Sequence, residues 1–339
     1  KVLITDPIDQ AGIDILSQVA QVDQKIGISE SDLINIISDY DALMIRSGTQ
    51  VTGEIINSSN KLRIIGRAGV GVDNVDVRAA TQKGVLVVNS PGGNTIAAAE
   101  HTIAMMLALS RNIPVAHTST KAGKWERKKF VGNELFKKQL GVVGLGKIGT
   151  HVAKVANALG MDVTGYDPFV SNERAQQMQV KLLDLNTLFE ESDYVTLHLP
   201  RTSETENLVD LNILRLMKSN SKLINCARGG IIDENALAEA LNTSLIGGAA
   251  IDVFSEEPLN PDSPLLKVDK NLILTPHLGA STKEAQENVA VDVAEQIKDV
   301  LLGLSARTAV NIPGLSPDIM DSLKPHLQLA ETLGLLISQ

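Results

Sequence analysis

Three short segments of the chain concentrate side chains able to grip an anion or move a proton. In Asn225-Cys226-Ala227-Arg228-Gly229-Gly230 an arginine stands among small residues. There its planar fork can take a carboxylate or a carbonyl through two N–H bonds; the competing reading is an interdomain salt bridge. Asp252-Val253-Phe254-Ser255-Glu256-Glu257-Pro258 supplies carboxylates, and Thr275-Pro276-His277-Leu278-Gly279-Ala280-Ser281-Thr282 supplies an imidazole. Histidine is the side chain that takes and gives protons near neutral pH. Each segment directly follows an apolar run that reads as a strand: Lys222-Leu223-Ile224-Asn225, Ala249-Ala250-Ile251 and Leu272-Ile273-Leu274. In open α/β sheets ligands lie beyond the carboxyl ends of the strands. Of the six histidines (His101, His117, His151, His198, His277 and His326), only His198 and His277 follow strands at that end. A lone loop histidine is usually structural. The company of an arginine and a glutamate on consecutive strand ends is what argues for chemistry.

A fourth segment points to a dinucleotide. Gly144-Leu145-Gly146-Lys147-Ile148-Gly149 fits G-x-G-x-x-G, follows the strand Leu140 to Val143 and opens a helical pattern with Ile148, Val152, Val155, Ala156 and Leu159 on one face. The next strand ends at Asp167, about 20 residues on, where a ribose-binding acid is expected. Gly144 permits the tight turn, Gly146 lets the backbone approach a diphosphate, and Gly149 lets helix and strand pack closely. The helix N-terminus then offers free N–H groups and a positive dipole end. Asp167 would accept hydrogen bonds from ribose hydroxyls and repel an added phosphate, and Pro168-Phe169-Val170 holds no cation for one. NAD is favoured over NADP.

Positioning four such loops needs a framework, and the sequence describes one. Val2-Leu3-Ile4-Thr5, Ala42-Leu43-Met44-Ile45, Arg63-Ile64-Ile65 and Val85-Leu86-Val87-Val88 form a first series of apolar runs, and Leu140 to Val143, Val163 to Tyr166, Tyr194 to Leu197 and the three runs above form a second. Runs apolar at successive positions fit parallel strands covered on both faces. Strands spaced by helical patterns argue for βαβ units, hence two α/β domains in tandem. The turn-forming stretch Asn89 to Asn94 marks a crossover. Thr95 to Arg111, apolar nearly all round, predicts a helix buried on every side, with a subunit interface as its natural place. Lys283 to Leu302 reads as a long helix crossing back to the first domain. From Ala306 on, Pro313, Pro317 and Pro325 and then Leu327, Leu329, Leu333, Leu335 and Leu336 read as a small further element.

Length and charge bound the rest. The 339 residues suit about two domains. With 31 Lys+Arg against 40 Asp+Glu the net charge is −9, so the chain as a whole does not attract nucleic acid or an anionic membrane, and an anionic substrate needs a local basic cluster. Cys226 is the sole cysteine, which excludes an internal disulfide and a Cys-cluster metal site and suits a reducing compartment. No metal is expected. The first thirty residues do not read as a signal peptide, and no apolar run approaches the ~18 residues of a membrane span.

With these residues in view, the chain resembles the D-isomer-specific 2-hydroxyacid dehydrogenases over roughly residues 1–305. The resemblance rests on Gly66-Arg67-Ala68-Gly69-Val70-Gly71-Val72-Asp73-Asn74-Val75-Asp76, the Gly144 motif, Tyr166-Asp167-Pro168, His198-Leu199-Pro200, and the three loops that hold Arg228, Glu257 and His277. Trp125-Glu126-Arg127-Lys128-Lys129-Phe130 and Glu256-Glu257-Pro258 look like the branch that acts on phosphoglycerate. What it implies is a pair of Rossmann-like, doubly wound parallel-sheet domains separated by a cleft. One comprises 1–93 plus 283–305 and binds substrate, one comprises 94–282 and binds NAD and dimerises, and 306–339 begins a C-terminal extension.

The resemblance also implies roles. His277 is the proton donor and acceptor at the substrate oxygen, Glu257 hydrogen-bonds it and favours the imidazolium, and Arg228 holds and polarises the substrate's carboxylate and carbonyl. The implied cofactor surface is Gly144, Gly146, Lys147, Ile148, Gly149, Asp167, Leu199, Cys226, Ala227, Arg228, Asp252, His277, Gly279, Ala280 and Val70, with Asp252 toward the nicotinamide carboxamide. Backbone N–H groups at Gly69 and Val70 could take a carboxylate as an anion nest. Arg46-Ser47 could meet a phosphate. Arg127, in a basic stretch, is either a phosphate contact or a solvated loop residue, and Asn94 either a substrate contact or the N-cap of the apolar helix. The expected partners are a phosphorylated 2-hydroxy acid and a second copy of the chain, with a tetramer as the larger option. The setting is cytoplasmic or, after removal of a leader, plastid. Alternatives are another dehydrogenase of the family, acting on glyoxylate, hydroxypyruvate or lactate, and an NAD-sensing regulatory scaffold. A formate dehydrogenase fits poorly, since Glu257 stands where that branch carries glutamine. His101 and His151 read as packing or surface residues, and Cys226 as a small buried neighbour of Arg228.

Overall fold

A computed structural model describes residues 1–312, 325, 326, 329, 330 and 332–334. The described contacts divide the chain into two units, Lys1–Pro91 with Glu287–Gln339 and Gly92–Gln286.

The first unit carries a parallel five-stranded sheet of β1 (Val2–Ile4), β2 (Val22–Gln24), β3 (Ala42–Ile45), β4 (Ile64–Arg67) and β5 (Leu86–Val88), in the order β2-β1-β3-β4-β5. Side chains alternate between two cores, as a two-fold pleat requires. Leu3, Leu43, Ile45, Ile65 and Val87 pack with Leu33, Ile37, Ile55 and Ile56 on one face. Val2, Ile4, Met44, Ile64 and Val88 pack on the other with Ile13, Leu16, Val289, Val293 and Ile297. Both faces are covered, which is why these strands show as unbroken apolar runs. Only β2, at an edge and partly exposed, has no such run and escapes the sequence reading. Residues after the helix Lys283–Leu301 return to the other edge: Ala309 bridges Val88, and the Asn311 side chain accepts from Val87 N and donates to Val85 O. Most of the proline- and leucine-bearing element expected beyond Ala306, including Pro313, Pro317, Leu327, Leu335 and Leu336, lies outside the described residues.

The second unit carries a parallel seven-stranded sheet of β6 (Gln139–Val143), β7 (Asp162–Tyr166), β8 (Lys181–Leu182), β9 (Tyr194–Leu197), β10 (Lys222–Asn225), β11 (Gly248–Ile251) and β12 (Leu272–Leu274), ordered β12-β11-β10-β9-β6-β7-β8. The strand order reverses between β6 and β9, and this is the switch point at which doubly wound sheets bind ligands. The short, half-exposed edge strand β8 also escapes the sequence reading. One face packs on the helices Thr95–Ser110 and Lys147–Ala158, the other on Phe189, Leu214, Leu237 and their neighbours.

The helix Thr95–Ser110 buries Ala98, Ala99, Ile103, Met106 and Leu109, but Ile96, Glu100, Ala104 and Leu107 stand exposed at helical spacing. Its low amphipathicity comes from Ile96, Ala104 and Leu107, apolar side chains outside the unit's own core. Hydrophobicity on every side of a helix does not say which sides its own domain covers.

Candidate active site

All seven strands of the second sheet run the same way, so their carboxyl ends share one edge. The Arg228 loop follows β10, the Glu257 loop β11 and the His277 loop β12, which are neighbours. Each loop is held by the one beside it. Asn225, the last residue of β10, donates from its amide to Arg228 O (2.9 Å) and accepts from Ala227 N (3.0 Å), setting the turn that carries Arg228. A Cβ on Gly229 would lie 1.7 Å from Phe254 O, so this glycine lets the Arg228 loop press against the Glu257 loop. Phe254 N donates to Glu257 Oε1 (3.0 Å), and Glu257 Oε2 meets His277 Nδ1 at 2.6 Å. Burial works against the Glu257 charge, but the His277 hydrogen bond, the Phe254 N–H and the imidazole's charge outweigh it and hold the carboxyl below its usual range. With Nδ1–H committed to Glu257, Nε2 is the nitrogen left to exchange a proton. His277 itself has φ +53°, a left-handed backbone that non-glycine residues adopt at a cost and that concentrates at functional sites.

What enforces that backbone is Asp252, fully buried at the end of β11. Its carbonyl accepts His277 N (2.8 Å), its Oδ1 accepts Leu278 N (2.8 Å) and the Thr275 hydroxyl (2.5 Å), and its Oδ2 accepts Gly279 N (2.9 Å). From the helix Thr95–Ser110, His101 Nε2 lies 3.1 Å from Oδ1. Burial would raise the Asp252 carboxyl, yet the bonds from His101, Thr275 and Leu278 keep it below the usual range. His101, expected as a packing or surface residue, meets a partner 151 positions away, and no local signal marks it. Asn225 likewise gives no signal beyond its strand-end position.

Among the described residues, His101, Cys226 and Asp252 bring ligand atoms within 4.8 Å of one another. The Asp252 oxygens are occupied by hydrogen-bond donors. Burial, then the nearby Asp252 charge, push the Cys226 thiol up to about 12, so it is protonated at neutral pH and a poor ligand and nucleophile. His101 and Asp252 form a charge-assisted pair, with the protonated Cys226 thiol beside them.

The glycine loop lies across the switch point. Gly144 has φ +95°, and a Cβ there would sit 2.5 Å from His198 O just after β9. A Cβ on Gly149 would meet Gly144 O at 1.9 Å, so helix and turn touch. Gly146 precedes the helix Lys147–Ala158, no side chain caps that helix, and the space beside Gly146 where a Cβ would project is open. Uncapped first-turn N–H groups facing open space are what a diphosphate requires. Asp167 accepts Leu145 N (2.8 Å) through Oδ2 and Phe169 N (2.9 Å) through Oδ1, fixing the loop while leaving lone pairs for a diol. These residues fit NAD.

Leu199, Ala227 and Ala280 sit in the same strand-end loops. Asn94 occupies the N-cap of the helix Thr95–Ser110 but makes no capping bond, and its Oδ1 is buried without a partner. Arg127 is exposed on the turn Arg127–Phe130, beside the Glu126–Lys129 ion pair (2.6 Å). In the first unit, Arg46 and Ser47 follow β3 and Gly69 and Val70 follow β4. The Arg46 loop is clamped from two sides: Asp6 accepts Arg46 N (2.6 Å) and Thr49 N (3.1 Å), and the Asn74 amide donates to Arg46 O (2.7 Å) and Thr49 O (2.6 Å). Asp76 accepts Ala79 N (2.8 Å) as the cap of Val77–Lys83.

His198 directly follows β9 and shares a 3.0 Å hydrogen bond with Thr196. Burial lowers its pKa from 6.5 to about 4, so the folded chain keeps the ring neutral. The unfolded chain takes up that proton first. The stability from this group is therefore complete above pH 6.5 and lost as pH falls toward 4. Between pH 7 and 4 the Tm of His198→Gln should fall less than that of the parent; equal falls would show that the folded ring accepts the proton in place.

Residues 103–279 match the family model described as "D-isomer specific 2-hydroxyacid dehydrogenase, NAD binding domain". The chain belongs to the D-isomer-specific 2-hydroxyacid dehydrogenase family, and its cofactor is NAD. Among curated relatives, D-3-phosphoglycerate dehydrogenase of Synechocystis sp. is 63% identical over all of this chain and 61% of its own length. This chain spans about three-fifths of the length of the curated relatives it matches. The TT0316 protein of Thermus thermophilus superposes with a TM-score of 0.84 at 31% identity, over 91% of this chain and 99% of that one. D-lactate dehydrogenase of Aquifex aeolicus, solved with NAD and lactic acid, superposes at 0.83 with 26% identity, over 93% of this chain and all of that one.

Proposed function

We propose that the chain catalyses NAD-dependent oxidation of 3-phospho-D-glycerate to 3-phosphohydroxypyruvate, the opening step of the phosphorylated route to serine. The observation that carries this reading is the 2.6 Å pair of His277 Nδ1 and Glu257 Oε2, on the same sheet edge as Arg228 and the glycine loop. The 63% identical relative of that name supports the choice of substrate.

Bound NAD supplies the hydride acceptor. The first turn at Gly146, Lys147, Ile148 and Gly149 receives its diphosphate and Asp167 its ribose. Val70, Leu199, Cys226, Ala227, Asp252, Gly279 and Ala280 are assigned to the remainder. Arg228 holds the substrate carboxylate and offsets its charge. His277 Nε2 takes the 2-hydroxyl proton, and Glu257 stabilises the imidazolium that results. In the reverse direction the protonated ring is the acid. Arg46, Ser47, Gly69 and Val70 of the first unit, with Asn94 and Arg127, are assigned to substrate.

The working form is proposed to be a homodimer through the second unit, with a tetramer as the larger option. The exposed apolar side chains Ile96, Leu107, Ile113, Val115, Trp125, Val131 and Phe136 support it. Among the described residues no helix is long and apolar enough to cross a membrane. A reducing cytoplasmic or plastid setting is our reading of the lone Cys226.

The test is NADH formation with D-3-phosphoglycerate, D-glycerate and D-lactate side by side. We expect kcat/KM for the phosphorylated acid to exceed the others by about 10²-fold, since a site built to hydrogen-bond a group rejects analogues lacking it. Comparable or higher values for the plain acids would reassign the substrate within the family. NAD binding with no turnover of any acid would make the chain a nucleotide sensor. In Arg127→Ala, KM for phosphoglycerate should rise about 10-fold, the worth of one charge-assisted hydrogen bond, with little change for D-glycerate. Equal effects on both would remove Arg127 from the phosphate site.

A further inference from the structure

Asp252 is completely buried, and a buried carboxylate stays charged only when donors compensate the lost water. Its Oδ1 makes three contacts: hydrogen bonds from the Thr275 hydroxyl and the Leu278 N–H, and a 3.1 Å ion-pair contact with His101 Nε2. The first two belong to the loop that carries His277. The third comes from a different element, the helix Thr95–Ser110, and His101 also approaches the Thr275 hydroxyl at 3.4 Å. Were Asp252 to take a proton, one oxygen would turn from acceptor to donor, and one of the loop's N–H or O–H groups would lose its partner.

We propose that His101 is a positioning residue for the reaction: its Nε2–H holds Asp252 in the form that accepts Leu278 N, Gly279 N and the Thr275 hydroxyl, and so keeps His277 at the left-handed backbone from which it meets Glu257. The inference rests on the reading of His277 as the acid–base group. His101 touches no reacting atom; it acts through Asp252. Three features give it this role. Its ring nitrogen is at hydrogen-bond distance from Oδ1, its helix packs into the core of the same unit, and the carboxylate it meets is bonded to residues on both sides of His277.

The experiment compares His101→Leu with His101→Gln in the full chain, because the Gln amide can donate from near the position of the ring Nε2–H whereas Leu only fills space. Two readouts are needed. The first, amide hydrogen exchange at Leu278 and Gly279, is independent of any activity. The Leu variant should exchange there about 10- to 100-fold faster, the worth of one hydrogen bond to a charged group, and the Gln variant should stay within about 3-fold of the parent. The second is steady-state kinetics with phosphoglycerate. The Leu variant should lose about 10- to 100-fold in kcat with KM changed less than about 3-fold, and the Gln variant should recover most of it. Unchanged exchange or unchanged kcat in the Leu variant overturns the proposal, as does equal impairment of both variants, which would reduce His101 to a packing residue. If the Leu variant does not fold, His101→Asn, whose amide is too short to reach Asp252, replaces it with the same expected results. If the parent chain turns over no 2-hydroxy acid, the acid–base reading has failed, while the exchange readout still decides whether His101 holds the loop.

Discussion

Replacing His277 by alanine is expected to lower kcat by about 10²- to 10⁴-fold, the usual worth of a positioned proton acceptor, with NAD affinity changed by less than about 3-fold and the fold intact. Hydride departure from C2 needs the hydroxyl proton to leave as the carbonyl forms. Of the side chains on this sheet edge, His277 has the means: one nitrogen is anchored to Glu257 at 2.6 Å, and the other is left for the substrate. The ring is partly exposed, so its loss leaves no large core cavity. The three loops around it are tied by backbone and side-chain bonds that the substitution does not touch, namely Asn225 to the Arg228 turn and Asp252 to Leu278 and Gly279. Near-normal turnover in this variant would eliminate the role.

Gly149→Ala should have the second large effect, on the cofactor in place of the proton. The added Cβ would lie 1.9 Å from Gly144 O, a backbone atom. No rotamer change relieves that contact. Either the helix Lys147–Ala158 or the Gly144 turn must move, and Gly144 is itself confined, with φ +95° and His198 O 2.5 Å from where its own Cβ would stand. The first-turn N–H groups then no longer converge on the diphosphate position. We expect NAD Kd to rise by about 10²-fold or more, the loss of two or so charge-assisted hydrogen bonds, with a lower Tm. Gly146→Ala is the useful contrast: nothing lies within 4 Å of its Cβ position, so any loss of NAD affinity there would come from crowding the ligand with no change in Tm. Unchanged Kd in Gly149→Ala would show that the loop tolerates the shift.

The glycine motif was legible because everything it needs is local: a strand before it, a helix after it, an acid about 20 residues on. Arg228, Glu257 and His277 were legible as three loops after three apolar runs. That they sit on neighbouring strands is a property of the sheet order, which no local pattern states. Strands covered on both faces announced themselves, and the half-exposed edge strands β2 and β8 did not. The interactions that fix the loops were the least legible. His101 reaches Asp252 and Asn74 reaches Arg46 across long separations, and each of those residue types has many duller uses. The helix Thr95–Ser110 shows the opposite limit: its hydrophobicity was plain, but core and uncovered surface read alike.

The central claim, that one imidazole poised by Glu257 serves a substrate oxidised at NAD, is tested most directly by a crystal structure of the chain with NAD and phosphoglycerate bound. The account predicts the diphosphate at the first turn of Lys147–Ala158, and the substrate 2-oxygen within hydrogen-bond reach of His277 Nε2 with its carboxylate on Arg228. A nicotinamide and a His277 ring lying in separate, unconnected pockets would contradict it.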